Sequence, residues 1–122
     1  TGRDYIYGAV PLSRRRGELS VNVTFSHEDD WFRIKLAGEI DLYNVYTIKD
    51  QVKEKLKESP SNLSVDVSEI NYLDSSGIGM LVELKRMVEE TGKIYRLRNI
   101  PPNILQLFKA INLDKILKDN IE

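Results

Sequence analysis

The chain has 122 residues and no cysteine. Disulfide staples and thiolate metal sites are therefore excluded, and the absence fits a reducing compartment. Histidine is nearly missing as well: His27 is the only one. A serine nucleophile normally needs a base beside it, and the sequence has almost nothing to supply one. Charge of one sign is not in excess, with 18 Lys and Arg against 19 Asp and Glu and a formal net charge of −1. No broad electrostatic case arises for nucleic acid or a membrane surface. No apolar run approaches the ~20 residues that span a bilayer, and no secretory signal is visible. A cytoplasmic protein is expected, and Asn22-Val23-Thr24 and Asn62-Leu63-Ser64 read as chance glycosylation matches. Neither G-x-x-x-x-G-K-[ST] nor G-x-G-x-x-G occurs, so nucleotide binding has no motif behind it. No cofactor is expected.

What is present suits one folded domain. The apolar fraction of 41% is enough for a core without disulfides or metal. Residues 1–17 differ from the rest, with Gly2, Gly8, Pro11, Gly17 and the run Arg14-Arg15-Arg16 but no sustained period. They read as a tail or linker. The three arginines read as a solvated basic tail, with an anion or acidic surface as the alternative. The domain is expected over 18–122.

Hydrophobic spacing sets out the elements. Alternation over Leu19–Phe25 and Trp31–Ala37, separated by the polar His27-Glu28-Asp29-Asp30, predicts a hairpin. Gly38-Glu39-Ile40-Asp41 closes the second strand. Val45, Ile48, Val52 and Leu56 form one stripe of a helix over about 43–58. Its charged face reads as solvent-exposed, supported by pairs three or four residues apart. A short strand at 63–67 and a helix carrying Ile78, Leu81, Leu84 and Val88 follow, stopped at Thr91-Gly92. Lys93–Leu97 is a further strand. Pro102 opens a last amphipathic helix, and 113–117 reads as a short strand or turn. The order β-β-α-β-α-β-α implies an α/β domain with a mixed sheet, because helical crossovers join parallel strands.

Asp74-Ser75-Ser76-Gly77 is the most informative segment, because it places a carboxylate and two hydroxyls where a helix begins. The first N–H groups of a helix lack acceptors. Asp or Ser can cap them, and the helix dipole favours a carboxylate or phosphate there. Gly77 and Gly79 each cost about 1 kcal/mol in a helix relative to alanine, which points to close approach or packing. An ordinary cap accounts for these residues on local chemistry alone; a partner-docking or phosphate-accepting segment is the alternative. A catalytic triad is not supported, since His27 lies far off in a turn and the flanks lack the G-x-S-x-G elbow. Asp74, Asp66, Glu69 and Asp41 lack the spacing of a calcium loop and read as capping or solvated groups.

The segments Gly38-Glu39-Ile40-Asp41, Val65-Asp66-Val67-Ser68, Tyr72-Leu73-Asp74-Ser75-Ser76-Gly77-Ile78-Gly79 and Ile111-Asn112-Leu113-Asp114-Lys115-Ile116 occur in that order. Together they resemble a STAS domain, and most closely the anti-sigma factor antagonists, over about residues 19–118. The resemblance implies a single α/β domain with a mixed four- to five-stranded sheet and helices mainly on one face. The usual last helix is expected to be missing. The resemblance also implies a non-enzymatic binding protein that sequesters an anti-sigma factor with serine kinase activity and so releases a sigma factor. Phosphorylation would break that complex, and a phosphatase would be a further partner. Ser75 matches the phosphoacceptor, with Ser76 the alternative. Asp41 and Asp74 match acidic positions beside it, and Gly77 would permit partner approach. The other function the resemblance implies is a STAS scaffold or sensor module of a stress-signalling assembly or an anion transporter.

Overall fold

The structure is a computed structural model that describes residues 5–12 and 21–122. Five strands form one sheet in the order β1-β2-β3-β4-β5. They are β1 (Tyr5–Leu12), β2 (Val21–Glu28), β3 (Trp31–Ile40), β4 (Asn62–Leu73) and β5 (Tyr95–Arg98). The helices are α1 (Val45–Glu58), α2 (Ser75–Glu90), α3 (Pro102–Ala110) and α4 (Leu113–Ile116). β1 to β3 pair antiparallel, while β3–β4 and β4–β5 are parallel, crossed by α1 and α2. The mixed sheet is thus the expected one.

Alternation decides which face is buried. Val21, Val23 and Phe25 of β2, Phe32, Ile34 and Leu36 of β3, Leu63, Val65 and Val67 of β4, and Tyr95 and Leu97 of β5 all point inward. They share one core with Val45, Ile48 and Val52 of α1, Met80, Leu81, Leu84 and Val88 of α2, and Ile104 and Phe108 of α3. The helices therefore stand on one face of the sheet. Each fully buried side chain of this size stabilises by about 1.5–3 kcal/mol. Tyr95 is wholly buried, and its hydroxyl donates to Leu81 O at 2.8 Å, so the one polar atom it brings inside is satisfied. Burial pushes its phenol pKa far upward.

Local signals account for several ends. Asp29, at φ 53°, makes the tight turn between β2 and β3. Gly92 takes φ +76° at the end of α2, with Gly92 N–H to Glu89 O at 3.0 Å and Lys93 N–H to Val88 O at 3.2 Å. That is the Schellman pattern that glycine favours. Pro102 occupies the first turn of α3, as its spacing predicts.

Four expectations are corrected. Tyr5–Leu12, within the segment read as a tail, is an edge strand paired to β2. Gly8 and Pro11 hide its period, and an edge strand tolerates a proline that cannot donate. The Arg14-Arg15-Arg16 run lies outside the described residues. β4 continues to Leu73 rather than ending at Val67, because register shifts at Lys35/Ala37 and Gly38/Glu39 on β3 let Ile70 and Leu73 turn inward after the alternation breaks. Residues 113–116 form a short helix, and the strand-like contact falls later, where Ile121 bridges Leu97 in parallel. The charged face of α1 is not simply solvated: Lys49 and Lys53 reach Glu83 of α2 at 3.1 and 3.3 Å.

Candidate functional site

β3 and β4 lie side by side and parallel, so the loops leaving them, and the starts of α1 and α2, come together at one end of the sheet. Asp41, Asp74, Ser75, Ser76 and Gly77 all gather there. Ile40 and Leu73, the last residues of the two strands, are register partners, and Asp74 N–H donates to Ile40 O at 3.2 Å.

Asp74 is the N-cap of α2. Its Oδ1 accepts from Ser76 N–H at 2.9 Å, from Gly77 N–H at 3.0 Å and from the Ser76 hydroxyl at 2.6 Å. Its Oδ2 accepts from Leu42 N–H at 3.3 Å, across the two loops. Burial works against ionisation, but the bonds from the Ser76 hydroxyl and from the Gly77, Leu42 and Ser76 N–H groups outweigh it. They hold the Asp74 carboxyl below the usual carboxylate range.

The two hydroxyls are thereby distinguished. Ser76 is half-buried and its Oγ is committed to Asp74, whereas Ser75, the first residue of α2, is exposed. Gly77 is buried, and a Cβ there would lie 2.5 Å from Leu73 Cδ1, 3.0 Å from Ile40 Cγ2 and 3.3 Å from Ile40 O. Its missing side chain lets α2 seat on the strand ends, so its geometric role is packing. A Cβ at Gly79 would meet nothing within 4 Å. Gly79 lies in a shallow hollow of about 210 Å³ between α1 and α2, beside Tyr46, Lys49, Ser76 and Glu83.

Asp41 is buried and works within its own loop. Its Oδ1 accepts from Tyr43 N–H at 3.0 Å, and its own N–H donates to Asn44 Oδ1 at 3.1 Å. Asn44 Nδ2 donates to Glu39 O at 2.8 Å. This loop presents Leu42 (60% exposed) and Tyr43 (77%), with Tyr46 (59%) one turn on. Sequence reasoning did not single out these three. A signal was available: Leu42, Tyr43 and Tyr46 are large and apolar yet fall off the Val45–Ile48–Val52 stripe.

The metal reading of the acidic residues has no support among the described residues, where no cluster of metal-ligating side chains forms. Asp66 accepts from Ser68 N–H at 2.9 Å and Asn99 Nδ2 at 3.1 Å, and Glu69 pairs with Lys35. His27, expected in a turn, lies within β2 and is half-buried, with Nε2 3.2 Å from Ser61 Oγ. Ser61 is buried, its hydroxyl donates to Ser59 O, and it precedes β4 at the end opposite Asp74. The histidine is nowhere near Ser75 or Ser76.

A domain with this sheet order and a capped serine turn after β4 has recognisable relatives. The family model described as "Mlab, STAS domain" matches residues 23–118, and the chain belongs to the STAS domain family. The chain is similar to the anti-sigma-B factor antagonist of Bacillus subtilis (strain 168), with 26% identity over 99 residues, 81% of this chain and 90% of that protein. Its fold is that of the anti-sigma factor antagonist SpoIIAA in its unphosphorylated form, with a TM-score of 0.70 and 19% identity over 82% of this chain and 85% of that one. The phosphorylated form of SpoIIAA matches with a TM-score of 0.67 and 19% identity over 82% of this chain and 88% of that one. No helix among the described residues is long and apolar enough to cross a membrane.

Proposed function

We propose that this chain is an anti-sigma factor antagonist: it binds an anti-sigma factor by the surface around Ser75, and phosphorylation of Ser75 breaks that complex. The carrying observation is the division between the two serines. Ser76 Oγ is held by Asp74 at 2.6 Å, and Ser75 is exposed at the same helix start. The similarity to a protein named an anti-sigma-B factor antagonist supports the choice of partner. The partner carries serine kinase activity, a phosphatase resets the switch, and this chain acts by binding in the cytoplasm rather than by catalysis.

The physics of the switch is local. Leu42, Tyr43 and Tyr46 supply apolar area next to the hydroxyl, and aromatic residues at an interface centre tend to dominate binding. A phosphate on Ser75 adds about −1.5 to −2 charge beside the ionised Asp74. The N-terminus of α2 tolerates that charge, so the fold survives while a partner placed against the site meets a desolvated like-charge cluster. Incubation with the cognate kinase and ATP, followed by intact-mass measurement and peptide mapping, should place one phosphate on Ser75. Ser75→Ala should abolish it, and Ser75→Asp should weaken the complex by about tenfold or more. Efficient phosphorylation of Ser75→Ala, or wild-type affinity in Ser75→Asp, would refute the assignment.

A further inference from the structure

The face of the sheet away from the helices is polar and unlike the surface around Ser75. Two rows cross it in register. Ser26 pairs with Arg33, Arg33 with Ser64, and Ser64 with Arg96. One step along, Thr24 pairs with Lys35, Lys35 with Asp66, and Asp66 with Arg98. Two adjoining hollows of about 290 and 230 Å³ open on this face, and both are lined by Arg33, Ser64 and Arg98.

Ser64 is the unusual member. It is only 5% exposed. It lies between two arginine-bearing strands, on the wall of both hollows. Two carboxylates share these hollows, Asp66 on the wall of the larger and Glu122 on that of the smaller, and each already has partners. Asp66 accepts from Ser68 and Asn99, Glu28 meets Arg33 Nη2 at 3.2 Å, and Glu69 pairs with Lys35. Glu122 lies 3.0 Å from Arg98 Nε and 3.6 Å from Arg96 Nε, so a carboxylate already rests on this pair of arginines. A guanidinium offers five N–H donors in a fixed fork, and these pairs leave Arg33 and Arg98 with donors to spare.

We propose that the helix-free face binds a phosphate group, held by Arg33 and Arg98 and accepting the Ser64 hydroxyl. Arginine forks match the geometry of phosphate oxygens, and the Ser64 hydroxyl adds a donor on the wall that both hollows share. The volume of the hollows admits a small phosphate monoester as well as free phosphate. This site is independent of Ser75 and of the antagonist reading.

The test is titration of the full chain with inorganic phosphate, with glycerol 3-phosphate and, at matched ionic strength, with sodium chloride, followed by amide and arginine side-chain resonances. Saturable shifts centred on Arg33, Ser64 and Arg98 are expected with at least one of the two phosphate ligands and not with chloride; the tighter of the two identifies the source. Arg98→Gln should weaken binding by about tenfold, and Ser64→Ala by a few-fold, each with the rest of the spectrum preserved. Shifts equal to those with chloride, shifts centred instead on Ser75–Gly77, or an unchanged affinity in Arg98→Gln would each overturn the proposal.

Discussion

Helices α1 and α2 begin side by side, each at the end of one of two neighbouring parallel strands, yet their starts are built differently. At α2 the cap is self-contained: Asp74 satisfies Ser76 N–H and Gly77 N–H and also takes the Ser76 hydroxyl. At α1 the N-cap residue Asn44 makes no side-chain bond to its own helix. Its side chain turns back to Asp41 N–H and Glu39 O, fixing the loop. The α2 start leaves Ser75 exposed, with its hydroxyl outside the cap. The α1 start holds up an apolar surface of Leu42, Tyr43 and Tyr46. In the proposed function, one would supply a place for charge to appear and the other contact area. Leu42 N–H on Asp74 Oδ2 ties the two together.

The largest test of this division is Gly77→Ala. The added Cβ has Leu73 and Ile40 in its way, including the Ile40 carbonyl at 3.3 Å, which cannot rotate aside. Overpacking of this kind costs about 1–3 kcal/mol. Thermal unfolding should show a midpoint lower by roughly 4 °C or more. A variant as stable as wild type would mean that α2 is not seated on the strand ends as tightly as the geometry indicates.

Next is Asp74→Ala, which removes the α2 cap and the link to Leu42 together. Loss of an N-cap costs about 1 kcal/mol, measured by denaturant unfolding. The same group carries a pH dependence. Its carboxyl is held below the ordinary value in the folded chain, so its contribution is present above the unfolded pKa, about 3.9. That contribution is lost as pH falls through the lower folded value. Asp74→Asn should make the acid decline below about pH 4 shallower. Asp66, Glu83 and Glu89 are shifted in the same direction and remain in both proteins, so the comparison isolates Asp74. An unchanged acid limb would show that the cap is not ionised.

The α2 start was legible in the sequence because capping is local: a side chain reaches N–H groups two and three residues on. Gly92, Pro102 and the inward alternation of β2 and β3 were legible for the same reason. The link from Leu42 to Asp74 was not, since the residues are 32 apart in sequence and meet only through the parallel pairing of β3 and β4. The same holds for Lys49 and Lys53 on Glu83, which depend on how α1 packs beside α2. β4 was read too short because a register shift breaks the two-residue period. β1 was missed because Gly8 and Pro11 interrupt it, while pairing with β2 needs only the backbone. The Asp-Ser-Ser-Gly segment carries both hydroxyls and the family resemblance favours Ser75; the 2.6 Å bond that occupies Ser76 is what the sequence did not disclose.

Gly79→Ala gives the smallest effect on the free protein and the sharpest contrast with Gly77. Both glycines lie in the first turns of α2, but nothing lies within 4 Å of a Cβ at Gly79. Replacement should stabilise the isolated chain by up to about 1 kcal/mol, because alanine is the better helix former. If the hollow between α1 and α2 receives a partner side chain, the same substitution should weaken the anti-sigma factor complex while the thermal midpoint rises. Opposite signs in the two measurements would separate a residue kept for contact from one kept for folding. A complex of unchanged affinity would leave the hollow out of the proposed docking surface around Ser75, Leu42, Tyr43 and Tyr46.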